Sequence, residues 1–92
     1  MTERNLESKL PNFNALQEAL ILMLKTFPDK AFTNQDIEAF VVQELGISEE
    51  AQKIPREKSI TELQYRLAWA RTKAKGAGLI VRDGAQTWRS AP

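Results

Sequence analysis

Proline and glycine divide this chain before any other feature acts on it. Pro11, Pro28 and Pro55 cannot sit inside a helix or donate to a central strand. Gly46, Gly76, Gly78 and Gly84 offer the backbone angles that end helices and close turns. The 92 residues are thereby cut into short segments, and the fold must be assembled from brief elements around one core.

Apolar spacing assigns each segment. Phe13, Leu16, Leu20, Met23, Leu24 and Phe27 recur at helical intervals, predicting a first helix from about Asn14 to Thr26 with Asn12 or Asn14 as its cap. Ala31-Phe32 is a short extended piece. In Thr33-Asn34-Gln35-Asp36 the hydroxyl caps a helix start that Asp36 favours electrostatically. The second helix carries Ile37, Phe40, Val41 and Leu45 on one stripe and stops at Gly46. A polar connector, Ile47 to Lys58, has a turn or two of helix at Ser48-Glu49-Glu50 and is halted by Pro55. Ser59-Ile60-Thr61-Glu62 matches a capping box and opens a third helix over about 60–77. Leu79 to Arg82 is β-prone, Asp83-Gly84 is a two-residue hairpin turn, and Gln86 to Arg89 returns, a register that sets Leu79 opposite Trp88. The expected fold is α+β, mainly α. It is a winged helix-turn-helix of three helices plus a C-terminal two-stranded β-hairpin wing, in residues 13–92 behind a tail of residues 1–12, and the Ala31-Phe32 strand can add to the hairpin edge.

Composition removes most enzyme classes. With no cysteine and no histidine, disulfides, thiolate nucleophiles, imidazole bases and nearly every zinc site are gone, so no catalytic residue, metal or cofactor is expected. A magnesium nuclease of the P-D…(D/E)-x-K type needs an acid-x-Lys after Pro28-Asp29, and none follows; the triplet Glu7-Ser8-Lys9 lies upstream. No apolar run approaches a membrane span, and MTERNLESKL is neither a secretory signal nor a transit peptide, which makes the cytoplasm the expected location.

The net charge of +1 hides two opposed parts. Residues 1–52 carry four bases and nine acids (4 − 9 = −5), whereas residues 53–92 carry nine bases and three acids (9 − 3 = +6). Such asymmetry points to a polyanion-facing surface. On the third helix Ile60, Leu63, Leu67, Ala70 and Ala74 share the core face. Tyr65 and Trp69 stand one turn apart on the other side; rings of that size are expected to pack, against the tail or the connector. Arg66 and Lys73 flank them on one shoulder, and Gln64, Arg71 and Lys75 occupy the other. The reading is a double-stranded DNA binder in which the third helix enters the major groove, Arg66, Lys73 and Gln64 reach base edges or phosphates, and Arg82 and Arg89 of the wing (79–89) grip the adjacent backbone. Lys58, with the amides at the helix start, offers a further phosphate site.

The stretch Leu-Gln-Tyr-Arg-Leu-Ala-Trp-Ala-Arg-Thr-Lys-Ala-Lys-Gly-Ala-Gly-Leu-Ile (Leu63 to Ile80) follows Thr-Asn-Gln-Asp-Ile (Thr33 to Ile37) and Glu-Leu-Gly-Ile-Ser-Glu-Glu (Glu44 to Glu50). Together they resemble the N-terminal winged-helix domain of Mrr-type restriction endonucleases, over roughly residues 13–89. The resemblance implies a DNA-binding module that commonly precedes a separate nuclease domain. Partners implied are double-stranded DNA and a homodimer mate or a fused or separate nuclease, since one module of this size binds weakly alone. The alternative reading is a protein–protein interaction or dimerisation module that uses Tyr65, Trp69 and the acidic first half.

Overall fold

The computed structural model describes residues 10–92. Residues 1–9, most of the segment read as a tail, lie outside the described residues. Leu10, the last apolar residue of that segment, is buried in the core.

Helix α1, Phe13–Thr26, begins where the Asn12 side chain accepts a hydrogen bond from the Ala15 amide at 2.9 Å. It buries Leu16, Ala19, Leu20, Met23 and Leu24, and ends two residues before Pro28. Strand β1, Phe32–Thr33, leads directly into α2, Asn34–Leu45. There Thr33 and Asp36 form the expected reciprocal box, and Gly46 closes the helix at a φ of 64°. One turn, α3 (Glu49–Gln52), is capped by Ser48.

Helix α4 spans Glu62–Gly76 and starts two residues later than the sequence suggested. Its box joins Thr61 and Gln64, not Ser59 and Glu62. The reason lies in the preceding loop. The Ile60 carbonyl accepts from the amides of Arg56 and Glu57, and the Glu62 amide donates back to the Ile54 carbonyl at 2.8 Å. Those bonds hold residues 55–61 in a closed turn before the helix can begin.

The sheet is antiparallel in the order β1-β3-β2, with β2 at Ile80–Arg82 and β3 at Thr87–Ser90. Strand β1 does join the hairpin edge, pairing Phe32 with Trp88 and Thr33 with Thr87. The hairpin register differs from the expected one: Trp88 stands opposite Arg82, not Leu79. Asp83-Gly84 is not a two-residue turn, because the Asp83 amide donates to the Thr87 carbonyl and the Thr87 hydroxyl donates back to the Asp83 carbonyl. Gly84, Ala85 and Gln86 therefore form the loop. The slip is an odd number of residues, so it reverses which face each side chain of β3 takes relative to β2.

Helix α1 packs against α2, α4 and β3. Leu16, Leu20, Leu24, Ile37, Val41, Leu63, Leu67 and Ile80 are fully enclosed between these elements, each contributing about 1.5–3 kcal/mol relative to exposure. Among the described residues no buried side-chain polar atom lacks a hydrogen-bond partner, and no helix is long and apolar enough to cross a membrane.

Candidate nucleic-acid interface

The basic side chains of α4 divide between two flanks, as 3.6 residues per turn requires. Gln64, Arg71 and Lys75 lie on the flank toward α2 and the sheet, and Arg66 and Lys73 on the flank toward α1. A groove of about 270 Å³ runs between α2 and α4 on the first flank, lined in part by Asn34, Glu38, Gln64 and Arg71.

Arg71 leans toward Trp88, its guanidinium 5.9 Å from the ring centroid, and Arg82 of β2 approaches the same ring at 5.4 Å. Helix and hairpin thus present two cations on one aromatic platform. The platform is fixed: Trp88 is buried, and its indole N–H donates to Asn34 Oδ1 at 2.8 Å. Among the described residues, Arg71 makes no ion pair and no side-chain hydrogen bond. Burial pushes its pKa below the ordinary arginine value; Glu38 acts the other way and Arg82 adds to the lowering. A guanidinium stays charged at neutral pH regardless, so burial is carried as a desolvation cost, while the attraction of Glu38 outweighs the repulsion from Arg82. Arg82 donates to the Ala85 carbonyl within its own loop and forms no ion pair among the described residues.

Other basic residues are already engaged. Arg66 donates through Nε to Glu62 at 2.8 Å and through Nη1 to the Pro11 carbonyl at 3.2 Å, tying α4 to the start of α1. Arg56, unmarked by any local signal, lies 3.9 Å over the Tyr65 ring and pairs with Glu62 at 3.4 Å. Arg89 holds Asp83 at 2.8 Å across the hairpin loop, and that hydrogen bond is the main reason its pKa is raised. Gln64 Oε1 accepts from the Thr61 amide, leaving only its NH₂ for a ligand. At the start of α4 the amides of Thr61, Glu62 and Gln64 all bond within the protein, so the phosphate site pictured there beside Lys58 lacks most of its donors. Lys58, Lys73 and Lys75 are exposed.

Of the two aromatic rings, Tyr65 packs against the connector as expected, and Trp69 departs from expectation. Trp69 is 48% exposed, and Tyr65 is half-buried beneath Arg56. On the outward back of α4, Trp69 shares a shallow hollow with Tyr65, Lys73 and the exposed Phe13 of α1.

These elements define a small α+β domain whose cationic surface lies where its last helix meets its hairpin. The chain belongs to the Mrr N-terminal domain family, whose sequence profile matches residues 13–90. No curated protein and no solved structure matches it.

Proposed function

We propose that this domain is a non-catalytic, double-stranded DNA-binding module, with α2 and α4 as a helix-turn-helix pair and the β2–β3 hairpin as a wing. The observation that carries the reading is the convergence of Arg71 and Arg82 on Trp88. Two cations from two elements, neither held in an ion pair among the described residues, form a place where backbone phosphate can accept from both. Membership in the Mrr N-terminal domain family, whose name is tied to restriction systems, agrees with a DNA ligand.

Lys73, Lys75 and Lys58 extend the positive surface on either side, and the Gln64 NH₂ faces the same flank as Arg71. Arg89 exchanges an exposed ion pair for a phosphate at small cost, because solvent screens such pairs. Arg66 is assigned a positioning role instead: its two bonds hold α4 against the start of α1. A single module covers roughly 600–1,000 Å² of surface in such complexes, so a homodimer mate or a linked nuclease would raise affinity.

Fluorescence anisotropy with a random-sequence duplex tests this at low and at physiological salt. Affinity should fall steeply as salt rises, by a log–log slope of about −0.9 for each phosphate neutralised. Absence of binding at low salt would contradict the proposal and favour a protein partner.

A further inference from the structure

Between the two basic flanks of α4 runs a strip that the phosphate contacts do not use: Tyr65, Ala68, Trp69 and Thr72. Ala68, Trp69 and Thr72 are exposed, and Trp69 lines shallow hollows on both its sides. The strip has few polar atoms to offer. The Thr72 hydroxyl donates to the Ala68 carbonyl at 3.0 Å, which leaves its methyl as the free end. Tyr65 is partly covered by Arg56, and at the margins Arg66 is committed to Glu62 and the Gln64 Oε1 to the cap, leaving the Gln64 NH₂ toward the Arg71 flank. The one acid on the helix, Glu62, is paired with two arginines.

The charge pattern favours one kind of cover for this strip. Arg71 and Lys75 border it on one side and Lys73, beside the exposed Phe13 of α1, on the other, so an occupant with anionic edges and an apolar middle complements it. The DNA major groove has that section: phosphates line its two rims, its width of about 12 Å admits a helix, and the only apolar group on its floor is the C5-methyl of thymine.

We infer that this strip reads thymine methyl groups, so that the domain prefers A·T base pairs through apolar contact and not through hydrogen bonds to base edges; the inference rests on the duplex-binding reading above. Ala68 and Thr72 present methyls of the kind that accompany thymine contacts, and Trp69 supplies a broad face that shields the pair from water.

Replacing thymine by deoxyuridine throughout an A·T-rich duplex removes only the methyl and retains charge, pairing and every hydrogen-bonding edge. Binding to the thymine duplex should be tighter by about fourfold for each methyl covered. Trp69→Ala, at an exposed position, should keep the fold and shrink that ratio toward one; a melting curve on the variant confirms that it is folded. Equal affinity of the wild-type domain for the two duplexes overturns the inference while duplex binding itself stands. A ratio that persists undiminished in the folded Trp69→Ala and Ala68→Gly variants also overturns it, by assigning the preference to duplex shape. Absence of binding to either duplex at low salt removes the DNA reading and the inference with it.

Discussion

The Trp88 indole N–H donates to Asn34 Oδ1 at 2.8 Å, bonding the central strand of the sheet to the first residue of α2 across 54 positions of sequence. That bond orients the ring on which Arg71 and Arg82 converge. Asn34→Ala should leave a partly buried donor without its partner and lower stability by about 1–3 kcal/mol, read by urea denaturation. An unchanged midpoint would mean that the bond does not hold the ring.

The two tryptophans should behave oppositely. Trp88 is 8% exposed and Trp69 is 48% exposed. Trp88→Ala is expected to cost about 3–5 kcal/mol. Trp69→Ala should stay within about 0.5 kcal/mol of the wild type. Equal losses at the two sites would place Trp69 in the core.

Arg66 and Arg71 separate stability from binding. Arg66→Gln breaks the bonds to Glu62 and the Pro11 carbonyl, so it should destabilise by about 1–2 kcal/mol and leave duplex affinity close to wild type where the variant is folded. Arg71→Gln should instead weaken duplex binding and leave stability near wild type, since it relieves the desolvation of a partly buried cation but gives up its attraction to Glu38 and its place over Trp88. The check is thermal melting and duplex anisotropy on both variants, with exchanged phenotypes as the contradicting result.

Gly84 has a φ of 115°, and a Cβ there would lie 2.9 Å from Thr87 Oγ1, the hydroxyl that closes the loop. Gly84→Ala should therefore loosen the hairpin at a cost of about 1–3 kcal/mol, with the Asp83 amide losing protection from hydrogen exchange. Unchanged exchange at Asp83 would show that the loop accommodates the methyl.

Elements closed by local bonds were legible in the sequence, and elements settled by distant ones were not. Asn12, Thr33 and Gly46 mark their helix ends within four residues of chain, and each lies where expected. At α4 two overlapping boxes, Ser59 with Glu62 and Thr61 with Gln64, are equally good locally; the Glu62 amide bonding to Ile54 decides between them. The hairpin register went astray because Asp83-Gly84 has a strong two-residue signal that the Asp83–Thr87 bonds override. Among the basic residues, charge alone could not separate Arg66 from Arg71. The first is claimed by a carbonyl 55 positions away, and the second by none among the described residues. Periodicity placed Trp69 away from the core face, but only the packed structure shows that about half of it stays exposed.

The central claim is that Arg71 and Arg82 together hold backbone phosphate. Its most direct test is the salt dependence of duplex affinity for the wild type and for Arg71→Gln/Arg82→Gln. The double variant should remain folded, bind more weakly, and show a log–log salt slope shallower by about 1.8, two phosphates at about 0.9 each. An unchanged slope and affinity in a folded double variant would contradict the claim and move the ligand away from the junction of helix and hairpin.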